Sequence, residues 1–323
     1  MRSAPSLRYL PAADLDRCMP SVTERIDLAA VALRGLARGE AEMPPKIGVH
    51  PREGALLHAM PAWLRSKDIV GLKWVSAFPG NREMDLPAIG GVVVLNDPET
   101  GFPTWLMDAA RITALRTAAV SGVAIRLFQP PHVQCVAILG AGVQAYSHAE
   151  VVGAVLADAE LVLFDRNRER AESVAGEWRI DGRRVTVAQS AESAVRGAQV
   201  VITAATLSKS QLMTPDWVDD DALVVSIDFA TYASAALANA ARAFVVDDRD
   251  QFLAYRGNGY FDGFPDPSVT LGELLAHDSS DGSSAAEGLV HVNHLGIGLA
   301  DVVFADAIAR RAEENGSGVM LEP

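Results

Sequence analysis

The stretch that decides the fold is Val133-Gln-Cys-Val-Ala-Ile-Leu-Gly140-Ala-Gly142-Val-Gln-Ala145. A short apolar run with β-branched residues is typical of a buried parallel strand. Glycines directly after it let the backbone approach a pyrophosphate at the start of the next helix. Ala145 takes the third small position of the dinucleotide-binding fingerprint. Glycine pairs also follow strands in plain tight turns, so the flanking sequence has to distinguish the two.

The flanking sequence favours a dinucleotide. Residues 143–156 are predicted to form a helix, and residues 160–164 form a second apolar strand that ends in Asp165. That acid lies where a carboxylate is expected to accept hydrogen bonds from an adenosine ribose diol. We therefore predict a nicotinamide-type site. Its pyrophosphate contacts are the turn and the first residues of the helix, namely Gly140, Gly142, Val143, Gln144 and Ala145.

The choice between NAD and NADP depends on three charged residues. Asp165 favours NAD because a carboxylate repels a 2′-phosphate. Arg166 and Arg168 follow at once and could receive that phosphate, although two arginines there also suit a solvated helix start. The prediction is NAD, with Asp165 and Arg166 at the adenosine end and NADP as the alternative.

Composition excludes several classes of function. The chain has 323 residues, of which 49% are hydrophobic and 21% charged, as in ordinary globular proteins of one or two domains. A formal net charge of −13 argues against nucleic acid and anionic membranes as partners. Two distant cysteines suggest neither a disulfide framework nor a metal pair. Because we find no signal peptide and no apolar run of membrane-spanning length, a cytoplasmic location is expected.

The part of the chain before the glycine turn has a different pattern. After a predicted helix at residues 26–37, short extended segments indicate a mixed or antiparallel sheet, followed by a long helix at residues 108–127. The predicted strands of this part cover residues 46–50, 69–76, 89–95 and 104–107. A last helix at residues 299–311 is long enough to pack back on this first part.

Strand and helix alternate again after the second strand of the nucleotide unit, with strands predicted at residues 199–204, 223–228 and 243–247. Ligands of open parallel sheets bind beyond the carboxyl ends of the strands, so Thr203, Thr206 and Asp228 are expected to project toward the nicotinamide. Asp228 could serve as an acid or base on an amine or a water, or simply cap a helix. His291 and His294 have no carboxylate or cysteine at ligand spacing, so we predict no metal.

These segments resemble the ornithine cyclodeaminase and mu-crystallin family, from about residue 44 to residue 305. The resemblance is carried by Gly71-Leu-Lys73-Trp-Val-Ser-Ala-Phe-Pro-Gly-Asn81, Met107-Asp108-Ala-Ala-Arg-Ile-Thr-Ala-Leu-Arg116-Thr117-Ala-Ala119, the Gly140 turn, Thr203-Ala-Ala-Thr206 and Gly296-Ile-Gly-Leu-Ala-Asp301. It implies an α/β fold in which a Rossmann-type domain, residues 129–298, is inserted into an α+β domain. That second domain, residues 1–128 and 299–323, would bind substrate and form homodimers.

The resemblance also implies roles for individual residues. Lys73 and Arg116 would hold the carboxylate of an amino or imino acid, as a point charge and a planar fork respectively. Lys46 stands where the family usually has an arginine for that carboxylate. Asp228 matches the family's catalytic acid, with Lys73 beside the reacting carbon. The same segments complete the expected cofactor contacts with Thr117, Thr203, Ala204 and Thr206.

The resulting functional prediction is a nicotinamide-dependent enzyme that acts on the C–N bond of a small amino or imino acid. The leading form is an ornithine cyclodeaminase-like reaction, in which hydride leaves the α-carbon, an imine forms and ammonia is lost. An amino-acid dehydrogenase or imine reductase with net cofactor turnover is the first alternative. A mu-crystallin-like ligand-binding protein is the second. Beyond Asp228 the run Phe-Ala-Thr-Tyr232 replaces the family's usual proline or glycine and lysine, which puts ornithine itself in doubt.

Overall fold

A computed structural model describes residues 6–205, 211–229, 232–277 and 288–321. The chain divides into two compact units, one of Met1–Arg116 with Ile297–Pro323 and the other of Thr117–Gly296. The domain boundaries predicted from the sequence lie after residues 128 and 298. The first division instead falls inside the helix Ala109–Phe128, whose two ends belong to different units.

The helices and strands, in chain order, are β1 (Leu7–Leu10), α1 (Ala12–Arg17), α2 (Val22–Ala37), β2 (Ala41–Glu42), β3 (Ile47–Val49), β4 (Leu56–Leu64), β5 (Ile69–Ala77), β6 (Ile89–Asn96), β7 (Pro103–Asp108), α3 (Ala109–Phe128), β8 (Cys135–Leu139), α4 (Val143–Val155), β9 (Glu160–Phe164), α5 (Arg168–Ile180), β10 (Val185–Val187), α6 (Ala191–Val195), β11 (Val200–Thr203), β12 (Leu223–Ser226), α7 (Ala235–Ala240), β13 (Ala243–Val246), α8 (Arg249–Gly257), β14 (Val269–Thr270), α9 (Leu271–Ala276), β15 (Val290–Asn293), α10 (Gly298–Glu314) and β16 (Val319–Leu321).

The first unit contains a mixed sheet. Its strand order is β16-β1-β7-β6-β5-β4-β2, with β3 also paired to β4. The β1–β7 pair is parallel and its other pairs are antiparallel. Side chains alternate between the two faces of a strand, and α10 packs on β4, β5 and β6 as well as on α2. One face of this sheet is therefore buried by the two long helices.

The second unit contains a parallel sheet with the order β10-β9-β8-β11-β12-β15-β13-β14. Its central strands β8, β11 and β12 are almost entirely buried, which explains their continuous apolar sequences. The order reverses direction at β8, and a doubly wound sheet binds its ligands at such a switch point. The predicted α/β class with a Rossmann-type domain is confirmed.

Most predicted elements are found within one to four residues of their expected ends. The predicted strand 160–164 has the same ends as β9, and the predicted helix 108–127 corresponds to α3. The structure adds strands that were not predicted, chiefly β4 and β15. His291 and Asn293 therefore lie in a buried central strand and not in a connecting loop. None of the described helices combines the length and the apolarity needed to cross a bilayer.

Candidate active site

The first unit holds a buried cluster of three charged side chains. Lys73 Nζ lies 2.6 Å from Asp301 Oδ2, and Arg116 Nε donates to Asp301 Oδ1 at 3.0 Å. All three side chains are at least 95% buried. Lys73 comes from β5, Arg116 from α3 and Asp301 from the first turn of α10. The two predicted carboxylate-binding cations are thus held by one acid that the sequence prediction did not assign to the site.

When Lys73 is protonated, the cluster carries two positive charges and one negative charge. Burial lowers the pKa of Lys73 to about 7, and the positive charges of Arg116 and Lys46 act in the same direction. Asp301 opposes this shift through its charge and its hydrogen bond. Buried charges are normally paired, but here two cations share one carboxylate. An added anion would balance the charge of the cluster.

Arg116 has an unused donor that points to such an anion. Its Nη1 is buried and has no hydrogen-bond partner, while Nε is occupied by Asp301. A buried guanidinium nitrogen without a partner is costly, and a carboxylate oxygen is the usual acceptor for it. Lys46 lies near enough to lower the pKa of Lys73. Arg116 and Lys46, the two other expected substrate-binding cations, therefore both lie close enough to Lys73 to affect its pKa.

The glycine turn of the second unit fits a dinucleotide. Gly140 has a φ of +115°, and a Cβ there would lie 2.6 Å from the Ala204 carbonyl oxygen. Gly142 is the N-cap of α4, and it provides no side-chain hydrogen bond to the backbone amides of the first helical turn. A Cβ at Gly142 would meet nothing within 4 Å. This arrangement combines a tight turn with open space at a helix N-terminus, as a pyrophosphate requires.

Asp165 stabilises the glycine turn through both of its carboxylate oxygens. Its Oδ2 accepts a hydrogen bond from the Ala141 amide at 2.8 Å, and its Oδ1 accepts one from the Asn167 amide at 2.8 Å. Arg166 is exposed beside it. Arg168 pairs with Glu172 one turn along α5, which fits the interpretation of a solvated helix start.

The other predicted cofactor residues lie on α3, on α4 and at the end of β11. Val143 is 69% exposed at the start of α4, and Ala145, two residues later, is fully buried. Thr203 ends β11, and its buried Oγ1 has no partner; the buried Gln144 Oε1 also has none. Orphaned polar atoms at the carboxyl ends of parallel strands fit a missing polar ligand. Ala204 follows Thr203, Thr117 lies in α3, and Thr206 lies outside the described residues.

Asp228 lies two residues beyond β12, at the carboxyl end of the parallel sheet. Its side chain is 4% exposed, and its Oδ2 accepts a 3.4 Å hydrogen bond from the Ala205 amide. Asn293 Nδ2 donates to the backbone oxygen of Asp228 at 3.5 Å. Asp228 belongs to the second unit, whereas Lys73 and Arg116 belong to the first. Among the described residues, no three potential ligands cluster as a metal site would require.

A buried histidine network was also not anticipated. Ser121 Oγ lies 2.8 Å from His148 Nε2 and 2.8 Å from His294 Nε2, and His148 Nδ1 lies 2.7 Å from the Gln144 carbonyl oxygen. The carbonyl can only accept, so Nδ1 of His148 carries the proton and Nε2 accepts from Ser121. This network ties α3 to the first turn of α4 within the second unit.

Residues 15–316 match the sequence profile of the Ornithine cyclodeaminase/mu-crystallin family. The chain belongs to this family. The resemblance predicted from the lysine, arginine and glycine segments is thereby confirmed. The family's relatives include nicotinamide-dependent amino-acid dehydrogenases, imine reductases and cyclodeaminases.

Three similar proteins illustrate the range of the family. The chain is 35% identical over 320 residues to the nodulation efficiency protein NfeD of Rhizobium meliloti, covering 98% of both chains. It is 30% identical to the alanine dehydrogenase of Archaeoglobus fulgidus, covering 94% of both. It is also 30% identical to the ketimine reductase mu-crystallin of Mus musculus, over 95% of this chain and 97% of the relative.

Solved structures agree with the fold. The Δ1-pyrroline-2-carboxylate reductase of Thermococcus litoralis, in complex with NADH and L-proline, superposes with a TM-score of 0.88 at 24% identity, over 98% of this chain and 100% of that one. An archaeal alanine dehydrogenase dimer with bound NAD superposes with a TM-score of 0.87 at 28% identity, over 98% and 99%.

Proposed function

We propose that the protein transfers hydride between NAD(H) and the α-carbon of a small amino or imino acid. The observation that carries this proposal is the buried Lys73–Asp301–Arg116 cluster, with its positive excess and its unused Arg116 Nη1. A plain ligand-binding protein is the alternative, and the joint presence of Lys73, Arg116 and Asp228 favours an enzyme over it.

The first unit binds and orients the substrate. Arg116 Nη1 donates to one oxygen of the substrate carboxylate, and Lys73 Nζ donates to the other. Asp301 fixes both cations through its two oxygens, so neither has to reorganise when the anion arrives. Because these side chains are almost fully buried, their interactions are stronger than in water. Orientation is the main contribution of this unit.

The second unit holds the cofactor. Gly140, Gly142, Val143 and Gln144 would hold the pyrophosphate, and Asp165 the adenosine ribose. The nicotinamide, when bound, accepts or donates the hydride. Thr117, Thr203 and Ala204 are proposed to line the rest of the cofactor site, with Thr206 as a further contact.

Asp228 is proposed to move the proton of the substrate nitrogen. It is almost fully buried at the strand end where the nicotinamide is expected, and the Ala205 amide orients one of its oxygens. A carboxylate placed there accepts a proton as the amine becomes an imine and returns it in the reverse direction. It can also direct a water to the imine carbon.

A homodimer is proposed through the exposed face of the first sheet. Ile47, Ala59, Trp74 and Val92 are consecutive partners across four strands, so they lie in one row on the face opposite Lys73. Ile47 is 68% exposed and Trp74 is 37% exposed. An apolar sheet face of this kind normally marks an interface. Trp74→Glu should convert the dimer to a monomer in analytical ultracentrifugation.

The test of the function is absorbance at the reduced nicotinamide band. Purified protein is mixed with NAD⁺ and a panel of amino acids, and separately with NADH, ammonia and the matching keto acids. A change in absorbance is expected in both directions. No change with any substrate, together with no release of ammonia, would contradict the proposed function.

The ratio of ammonia released to the change in absorbance separates the two fates of the imine. A dehydrogenase or reductase changes the absorbance in proportion to product. A cyclodeaminase releases ammonia from a diamino acid with no net change, since the hydride returns to the ring product. The run after Asp228 provides no lysine near the acid, and Phe229 packs instead against the Tyr255 and Tyr260 rings. Net turnover is therefore the expected result.

A further inference from the structure

Three polar side chains form a row across the middle of the parallel sheet. Thr203 ends β11 and is the register partner of Ser226, which ends β12, and Ser226 is in turn the partner of Asn293, which ends β15. Register partners on neighbouring parallel strands direct their side chains to the same face. Each of the three residues is at most 1% exposed. The row lies at the carboxyl edge of the sheet, where ligands of such sheets bind.

The middle residue of the row has a hydrogen-bond partner, whereas the two outer residues each leave one atom unused. Ser226 Oγ lies 3.0 Å from His291 Nε2 on the neighbouring strand. Thr203 Oγ1 and Asn293 Oδ1 are both buried, and neither forms a hydrogen bond within the part of the chain that the structure describes. Two unused polar atoms therefore flank a bonded serine.

The orientation of the Asn293 side-chain amide is determined by its own hydrogen bonds. Nδ2 donates to the backbone oxygen of Ser226 at 3.3 Å and to that of Asp228 at 3.5 Å. Because both of these partners can only accept, the nitrogen has to face them and Oδ1 has to face away. The unused atom of Asn293 is therefore an acceptor that needs a donor.

The two unused atoms need opposite partners. Asn293 Oδ1 can only accept a hydrogen bond, and the Thr203 hydroxyl can donate one. Leaving a buried polar atom without a partner costs about 1–3 kcal/mol. The strands β11 and β15 lie on either side of β12, so their backbones are about 9–10 Å apart. That distance suits a small planar group with a hydrogen bond of about 3 Å on each side. A primary carboxamide has the required N–H donor and oxygen acceptor side by side.

The chain beyond the row is less buried than the row itself. The two alanines that follow Thr203 are partly exposed, and so is the isoleucine that follows Ser226. Asp228, the proposed proton carrier, lies two residues beyond Ser226 at the same edge. The unused atoms are thus next to the part of the second unit where the nicotinamide is expected. An ordered water is the other group that could satisfy both atoms.

We infer that Thr203 and Asn293 bind the carboxamide of the nicotinamide, with Thr203 Oγ1 donating to its oxygen and Asn293 Oδ1 accepting from its nitrogen. This rests on the proposed function, because it requires the dinucleotide bound at the glycine turn to extend to the ends of β11, β12 and β15. It adds Asn293 to the site and gives Thr203 a specific contact. A carboxamide bonded at both ends cannot turn over, so the ring presents one face to the substrate.

The test compares two dinucleotides that differ in a single group. NAD⁺ and 3-acetylpyridine adenine dinucleotide share the carbonyl oxygen, but the second has a methyl group in place of the amide nitrogen. In calorimetry without substrate, NAD⁺ should bind at least about tenfold more tightly, equivalent to about 1.4 kcal/mol. The reason is that the methyl group leaves Asn293 Oδ1 buried without a donor. Equal affinities would overturn the inference and assign the two unused atoms to bound water.

Variants assign the two hydrogen bonds separately. Asn293→Leu should weaken NAD⁺ binding about tenfold and change binding of the acetylpyridine dinucleotide less than twofold, so the preference disappears. A merely structural role would weaken both dinucleotides alike. Thr203→Val should weaken both about equally, because both carry the carbonyl oxygen, and Thr203→Ser should restore them. Thr186→Val, at an exposed position of β10, is the matched control and should change neither affinity.

The comparison of the two dinucleotides in the parent protein needs no variant, so it tests the inference even if Asn293→Leu does not fold. A preference for NAD⁺ that persists in Asn293→Leu would overturn the inference, and so would unchanged affinities in Thr203→Val. Failure of the proposed function is distinct. It would appear as silent absorbance with every substrate of the panel, while NAD⁺ still binds more tightly than the acetylpyridine dinucleotide.

Discussion

Lys73 Nζ lies 2.6 Å from Asp301 Oδ2, so the middle strand β5 is bonded to the first turn of the last long helix. Asp301 accepts from Arg116 through its other oxygen, and the three groups form a single buried unit. This relationship links the two chain ends of the first unit through the same residues that are proposed to bind substrate. Stability and function therefore depend on the same contacts.

Removing the acid should be costly. Asp301→Asn leaves Lys73 and Arg116 buried together without a negative charge, and losing one partner of a buried pair costs about 3–5 kcal/mol. Denaturant unfolding measures this loss. Asp306→Asn, which breaks the exposed pair with Arg310, is the control and should cost at most about 1 kcal/mol. Equal effects in the two variants would contradict the account.

The two glycines of the turn should behave differently. Gly140→Ala places a Cβ 2.6 Å from a carbonyl oxygen at a φ of +115°, so it should destabilise the fold by at least about 1–3 kcal/mol. Gly142→Ala has open space and an ordinary φ, so the unfolding free energy should change by less than about 1 kcal/mol. NADH binding, followed by fluorescence, should nevertheless fall in Gly142→Ala because the new methyl group enters the pyrophosphate space. Unchanged NADH affinity would remove Gly142 from the cofactor site.

Asp165 should set the preference between the two cofactors. Asp165→Ala removes the carboxylate that is proposed to bind the ribose, so the dissociation constant should rise more for NAD than for NADP. Some affinity for both should also be lost, because the carboxylate holds the Ala141 amide of the turn. Arg168→Ala is a useful comparison, since its guanidinium pairs with Glu172. A larger loss for NADP in Asp165→Ala would mean that Arg166 governs the preference.

His148 should make the protein sensitive to acid. Burial lowers its folded-state pKa from 6.5 to about 4, so below pH 6.5 the unfolded chain binds a proton that the folded chain does not. The unfolding free energy should therefore fall as pH decreases from 6.5 to 4, with His148 contributing up to about 1.4 kcal/mol per pH unit. His148→Gln should lower this slope, and His132→Gln at an exposed site should not. Identical slopes would show that His148 is protonated in the folded state.

The parts of the fold that follow simple sequence patterns could be predicted. The strand before Gly140 is continuously apolar, and the helix, second strand and acid that follow the glycine turn distinguish it from a plain tight turn. β15 was not predicted because His291 and Asn293 interrupt its apolar pattern, although both are buried and bonded to Ser226. β4 was missed because Pro61 and His58 suggested a connection.

The cations of the site were predicted from the sequence, but the acid that binds them was not. The roles of Lys73 and Arg116 followed from the resemblance of their segments to the family, whereas a role for Asp301 depends on a contact between distant parts of the chain. One signal was available, namely a lone acid in the apolar run Leu299-Ala-Asp301-Val-Val303. A charge at such a position in a core helix requires a buried partner.

The most direct measurement compares turnover and NADH affinity in Lys73→Met. This variant keeps the neutral Arg116–Asp301 pair in place, so the protein should fold and bind NADH with an affinity within about threefold of the parent value. Turnover on the best substrate of the panel should fall at least about 100-fold, because the point charge that orients the substrate carboxylate is lost. Retention of more than a tenth of the parent turnover, or a loss of NADH affinity that matches the loss of turnover, would contradict the placement of substrate at Lys73.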